Sequence, residues 1–139
     1  MLTQYVSESS QSSTYGGRGS SRALDGDIST HHHTLGDPGE RSFWRAVFVR
    51  RMSVSRVFFI NRPDCCIDRG DRLDIILIVN FGGNQNSDVC GNTGVYPRGP
   101  NPRVLNLPCK GLADELMVKA TQPATMSFAE IEIYGTPCN

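Results

Sequence analysis

The sequence predicts an all-β protein, a β-sandwich or jelly roll, on three observations. Short apolar or alternating segments recur along the chain, rich in β-branched and aromatic residues. Clusters of Gly, Pro, Asn, Asp and Ser separate them. No long window carries the i, i+3, i+4 apolar spacing of an amphipathic helix. At 139 residues the chain suits one domain, 1–139, with a core of its own.

Residues 7–22, SESSQSSTYGGRGSSR, are polar and too weakly patterned for a helix, and ALDGDIST follows with Asp25-Gly26 as a turn signal. TLGDPGERSF, between His33 and Trp44, is a turn-rich loop. WRAVFV and VSRVFFIN then read as two strands with arginines in the gap between them. RLDIILIVNF places Leu73, Ile75, Leu77 and Val79 on one face and Ile76 and Ile78 on the other, the pattern of a central strand buried on both sides. ELMVKA turns Leu116, Val118 and Ala120 against Glu115, Met117 and Lys119. FAEIEIYG alternates Ile131 and Ile133 with Glu130 and Glu132. No internal repeat is visible, and function in such a sandwich is expected on its loops.

Charge and cysteine usage exclude several classes. Fourteen basic and fourteen acidic residues balance, so no global field draws nucleic acid or an anionic membrane. Arg45, Arg50, Arg51, Arg56, Arg62, Arg69 and Arg72 fall in one stretch, but a strand-spaced arginine stripe is more often a solvated face than a nucleic-acid site. No segment approaches the roughly 20 apolar residues that cross a bilayer, so membrane insertion is not expected. The first residues lack a charged region followed by an apolar one, which leaves a chain kept inside the cell or one that has lost a leader. None of the five cysteines forms a C-x-x-C pair. Cys90 and Cys109 bracket GNTGVYPRGPNPRVLNLP, read as loop, and a disulfide closing it would contribute roughly 3 kcal/mol. The alternative is two independent buried thiols. Cys138 is left over, as a free thiol or an intermolecular bridge. This pattern points to an extracellular protein.

Residues 61–69, NRPDCCIDR, set adjacent cysteines between two arginines. Oxidised to each other, Cys65 and Cys66 close almost no chain, but they form a rigid, polarizable apolar ledge. Arg62 and Arg69 add planar forks of donors, and Asp64 is placed to orient one of them or to shape the turn. A pyranose has one face of C–H groups and a rim of accepting oxygens, so a ledge beside two forks describes a sugar site. The alternative is a pair of reduced thiols among solvated loop charges.

With His33, these residues resemble the fucose-binding signature of F-type lectins (fucolectins), a histidine followed by R-x-D-x4-R/K, complete here as RPDCCIDR. ALDGD resembles the family's A-[IL]-D-G-[ND] turn, SFWR its tryptophan-bearing strand start, and FAEIEIYG its closing strand. The resemblance runs from about residue 8 to residue 134 and implies a discoidin-like β-sandwich. It implies sugar contacts from His33, Arg62 and Arg69, including to the axial 4-hydroxyl, and a Cys65–Cys66 disulfide packed on the sugar ring. It also implies a structural Ca2+ held by the side chains of Asp25, Asp27 and Glu130 and main-chain carbonyls of Arg22, Thr30 and Ala129. Hard carboxylate oxygens suit that ion. Against this stands the plainer reading of Asp25 as the first residue of an Asp-Gly turn and Glu130 as an outward strand residue. The expected partners are fucosylated glycans or glycoproteins. Modest single-site affinity implies a homo-oligomer for avidity, and the setting implied is secretion, with a part in innate immunity or cell recognition.

The chain also departs from the family pattern. His33 lies two residues further from Arg62 than is usual, with His31 and His32 as substitutes, and HTLG favours His33. The loop before it is short and has no aromatic between Ser29 and His33, so the pocket for the fucose methyl is open or built by Tyr15. Galactose-configured sugars then become possible ligands. Phe48 and Ala129 stand near positions where the family has an aspartate and, in some members, a cysteine. A transition-metal site on the His triplet lacks converging partners. Nothing supports catalysis, since no G-x-S-x-G elbow is present and Asp64 and Asp68 alone do not define an acid pair. The second reading is a discoidin-like adhesion or protein-binding module without a sugar site.

Overall fold

The computed structural model describes residues 1–96 and 104–139. Its strands are β1 Val6–Gln11, β2 His32–His33, β3 Phe43–Ile60, β4 Leu73–Phe81, β5 Asn84–Asn92, β6 Val104–Leu107, β7 Gly111–Ala120, β8 Ser127–Phe128 and β9 Glu130–Pro137. Among the described residues the only helical elements are three 3₁₀ turns, Thr3–Tyr5, Ser20–Leu24 and Ile67–Gly70. All strand pairings are antiparallel.

β3 organises the fold. Its first half lies between β1 and β7, with β4 and β5 continuing outward from β7, while its second half pairs with β9 and β6. Both halves feed one core, in which Trp44, Ala46 and Phe48 join Val57, Phe59, Ile131 and Ile133. The two arms of the sheet therefore cover a single apolar centre, the sandwich expected from the sequence. The short β2–β8 pair closes one end.

The two strands expected at WRAVFV and VSRVFFIN are one strand of 18 residues. Its register against β7 slips between Val47 and Met52, where β7 advances only from Glu115 to Ala113. The surplus residues, Arg50 and Arg51 among them, bulge outward without breaking the extended backbone. β1 and β5 were not apparent as strands in the sequence. Both are edge strands of polar residues, paired on one side only, so backbone hydrogen bonding rather than burial defines them. β5 and β6 also take up both ends of the 91–108 segment read as loop, whose middle, 97–103, lies outside the described residues.

β4 is central, between β7 and β5, but only half as expected: Leu73, Ile75 and Leu77 are buried, and Ile78 on the opposite face, while Ile76 and Val79 are half-buried. β7 turns Leu116 and Val118 inward as expected, yet its Glu115 is also buried, ion-paired to Arg45 on the outer face. Ile131 and Ile133 of β9 face the core as expected, and Glu130 at the strand's start is buried as well.

Candidate functional site

One end of the sandwich gathers the 13–19 loop, β2, the loop from β3 to β4, and β8. Side chains alternate along an extended segment, and that alternation sorts the His triplet. His32 turns into the core, wholly buried, its Nδ1 donating to Gln11 Oε1 at 3.0 Å and its ring edge-on to Phe128 at 4.1 Å. Burial pushes its pKa down to about 3. His31 and His33 turn the other way, toward the arginines.

His33 is the best anchored. Its Nδ1 donates to the Thr34 carbonyl at 2.6 Å, which fixes the neutral tautomer and leaves Nε2 to accept from Arg69 Nη1 at 2.8 Å. Burial lowers its pKa, with the charges of Arg69 and Arg62 adding to the effect against the Thr34 bond. Its backbone is stitched to the 13–19 loop, the N–H donating to Arg18 O at 3.0 Å and the carbonyl accepting from Tyr15 N at 2.9 Å. Tyr15 lies beside the His33 ring at 4.8 Å, half exposed, with the Arg18 guanidinium 5.8 Å over its own ring. Gln11 Nε2 bonds the carbonyls of Ser13, Arg18 and His33, holding loop and strand together.

Arg62 is buried and clamped. Its Nε and Nη2 donate to the two carboxylate oxygens of Asp64, each at 2.8 Å, and Nη1 reaches Ser127 Oγ at 3.4 Å. That fork holds the Asp64 carboxyl well below the usual carboxylate range. Asp64, named in the sequence as an orienting or turn residue, thus makes a bidentate pair with Arg62. Each of Nη1 and Nη2 keeps one N–H beyond these bonds. His31 stands near Arg62 and Asp64 and is held neutral to about pH 4, by burial first and then by the arginine's charge.

Between the arginines Cys65 and Cys66 are joined to each other, Cys65 exposed, and Cys66 takes a left-handed φ of 60°. Asn61 shapes this loop: fully buried, it accepts from the Arg62 N–H at 2.9 Å and donates to the Ile67 carbonyl at 2.8 Å. Gly70 packs on Asn61, whose side chain would lie 3.0 Å from an added Cβ. Asn61, Gly70, Ser127 and Gln11 were missed in the sequence reading, and His31 was named there only as a substitute for His33. Asn61 alone left a signal there, as an Asn preceding an Arg-Pro turn. Cys90 and Cys109 are also joined, and Cys138 is the free cysteine.

The residues expected to hold Ca2+ lie around the turn after the Ser20–Leu24 segment, whose Arg22 is one of them, and the start of β9. Asp25 Oδ1 accepts from the Asp27 N–H at 2.9 Å, and Asp25 Oδ2 from the Thr30 hydroxyl. Glu130 Oε2 accepts from the Gly26 N–H at 2.6 Å, which draws the turn to β9, and Ala129 is pinned to β3 by its N–H to Ile60 O at 2.9 Å. Asp27 Oδ1 accepts from the N–H and hydroxyl of Ser29 in the same turn. Among the described residues no three His, Cys, Asp or Glu side chains converge as a metal cluster. Glu130 Oε1 is nevertheless buried without a partner, and burial raises the carboxyl's pKa to about 7, with the charge of Asp25 adding to it. A buried carboxylate with an unused oxygen beside a second carboxylate fits a hard cation.

No protein-family model matches the chain, and no curated protein does. Solved structures do. A fucose binding module of Streptococcus pneumoniae superposes with TM-score 0.75 at 24% identity, covering 97% of this chain and 95% of that one. The family 32 CBM from C. perfringens NanJ, in complex with galactose, gives 0.74 at 20% identity over 95% of each. A fucolectin from striped bass (Morone saxatilis) serum gives 0.80 at 18% identity, 98% of this chain spanning 48% of that one. The chain thus has the fold of F-type lectins and discoidin-like carbohydrate-binding modules, an antiparallel β-sandwich.

Proposed function

We propose that the protein is a lectin that binds terminal L-fucose on glycans, reversibly and without chemistry on the sugar. The observation that carries this reading is the Arg69–His33 bond of 2.8 Å, made beside an Arg62 that Asp64 already holds in place. Two oriented guanidinium groups, the half-buried Arg69 and the buried Arg62, flank a sulfur ledge. The donors suit the ring oxygen and the axial hydroxyl, and the ledge suits the C–H face. Because Asp64 and His33 fix both forks before a sugar arrives, little side-chain freedom is lost on binding. The exposed Tyr15 ring offers an apolar wall for the fucose methyl. That wall is open on one side, so sugars with the same hydroxyl arrangement and no methyl, galactose-configured ones, are weaker ligands. The likeness in fold to a fucose binding module and to a galactose-bound module supports the sugar class.

Asp25 and Glu130, with Asp27 and carbonyls of Arg22, Thr30 and Ala129, are the proposed holders of a structural Ca2+, which would neutralise the buried Glu130. The protein acts outside the cell, in defence or recognition, as a homo-oligomer whose several sites raise a modest single-site affinity. Retention on immobilised L-fucose with elution by free L-fucose tests the reading. Passage straight through the column by folded, oxidised protein would favour the adhesion or protein-binding alternative.

A further inference from the structure

The second half of β3 breaks its own alternation. Val54 and Val57 are buried in the core, yet Ser55 and Arg56 between them are both exposed. Regular pleating would turn one of the two inward. The cause is a slip in the pairing with β9: Val54 lies opposite Gly135 and Arg56 opposite Tyr134, so Ser55 is the extra residue of a bulge. Bulges re-aim side chains in this way. A side chain at position 135 would clash there, its Cβ only 2.1 Å from Ser53 O, and the Ser55 hydroxyl ties the bulge to the Tyr134 carbonyl at 3.2 Å.

The two re-aimed residues line a cleft of about 580 Å³ together with Phe58, Lys110 and Tyr134. That volume falls within the roughly 300–1,000 Å³ of small-ligand sites. Phe58 and Tyr134, both half-buried, meet edge to face with ring centroids 5.5 Å apart. Arg56 and Lys110 are exposed, and their side chains make no hydrogen bond or ion pair among the described residues. No acid among the described residues lines the cleft. Glu132, opposite Phe58 on the same outer face, accepts from the Tyr134 hydroxyl at 2.9 Å. None of the lining residues belongs to the proposed fucose site, and β3 ends at Ile60, before the loop that carries Arg62.

The chemistry of the cleft selects its ligand. An aromatic pair offers an apolar platform for the C–H face of a sugar ring. Two unpaired cations beside it call for an anionic group, a carboxylate or a sulfate. Two cations match isolated anionic groups rather than the closely spaced phosphates of a nucleic acid. We infer that this outer face of the β3–β9 arm is a second binding site, which takes an acidic saccharide with a ring on Phe58 and Tyr134 and its anionic group on Arg56 and Lys110. The site does not depend on the fucose reading, because the two share no residue.

Titration calorimetry on the wild type tests this with hexasaccharides of chondroitin sulfate and of hyaluronan, against maltohexaose and hexathymidylate. The first two separate sulfate from carboxylate recognition, and the last two are a neutral sugar and a non-sugar polyanion. At least one acidic hexasaccharide should bind, at least about tenfold more tightly than either comparison ligand. Arg56→Ala and Lys110→Ala should each weaken it about tenfold, of the order of one charged hydrogen bond. Both side chains are exposed and unbonded, so thermal melts should be unchanged. Lys119→Ala, which removes a cation from β7 opposite Asp74, should bind as the wild type does. No heat from either acidic hexasaccharide, or equal binding of maltohexaose or hexathymidylate, overturns the inference. So does affinity unchanged in both Arg56→Ala and Lys110→Ala, or an equal loss in Lys119→Ala, which would mark diffuse charge rather than a site.

Discussion

Arg69 and His33, 36 positions apart in sequence, meet in a bond of 2.8 Å that only a neutral, Nδ1-protonated imidazole can accept. The bond makes a specific demand on the arginine. Lysine would keep the charge but lose the planar fork that serves His33 and a ligand together. Arg69→Lys is expected to weaken L-fucose binding at least about tenfold, of the order of one hydrogen bond to a charged group, with melting temperature little changed. Calorimetry and thermal melting on the same sample check both halves.

The same pair sets the pH response. His33 titrates below its ordinary value because it is partly buried among arginines. In the folded state it therefore binds fewer protons than in the unfolded state. Its contribution to stability is intact above about pH 6.5 and is lost as pH falls below it toward the folded value. Fucose affinity should stay flat from pH 8 to 6.5 and fall only at lower pH, where protonation turns Nε2 into a donor facing Arg69. A fucose titration series across pH reads this directly, and a loss centred at or above pH 6.5 would contradict it.

The two disulfides should part function from stability. Cys65–Cys66 spans one position and closes almost no chain, whereas Cys90–Cys109 spans 19. In the chain-entropy model a loop of that size contributes about 3 kcal/mol. The Cys65→Ser, Cys66→Ser double variant should melt like the wild type and bind fucose poorly. The Cys90→Ser, Cys109→Ser variant should melt several degrees lower and bind normally while folded.

Calcium is expected to act through Glu130. Saturating Ca2+ should raise the melting temperature, by mass action of about 2.7 kcal/mol at a hundredfold excess over Kd. In Glu130→Gln, which keeps the shape but not the charge, that shift should vanish. Calorimetric scans with Ca2+ and with a chelator decide it, and a shift of equal size in both proteins would place the ion elsewhere.

The sandwich was legible because its inner strands must be apolar. Leu116, Val118, Ile131 and Ile133 were readable from alternation and Ile75 from an apolar run, and all five are buried. The polar edge strands β1 and β5 carry no such signal, since only backbone partners define them. RPDCCIDR pointed to the arginines and the sulfur ledge, because those residues are neighbours in the chain. What it lacked was everything supplied from elsewhere: Ser127 under Arg62, Gln11 holding the 13–19 loop to β2, and the alternation that sends His32 inward while His31 and His33 turn to the site. Such contacts between distant segments leave no local pattern.

The central claim is tested most directly by titrating L-fucose into oxidised, calcium-loaded protein, wild type against Arg62→Ala. The account predicts saturable heat for the wild type that disappears in Arg62→Ala, with near-ultraviolet circular dichroism showing both proteins folded. Absence of heat in a folded wild type, or equal affinity in Arg62→Ala, would contradict it.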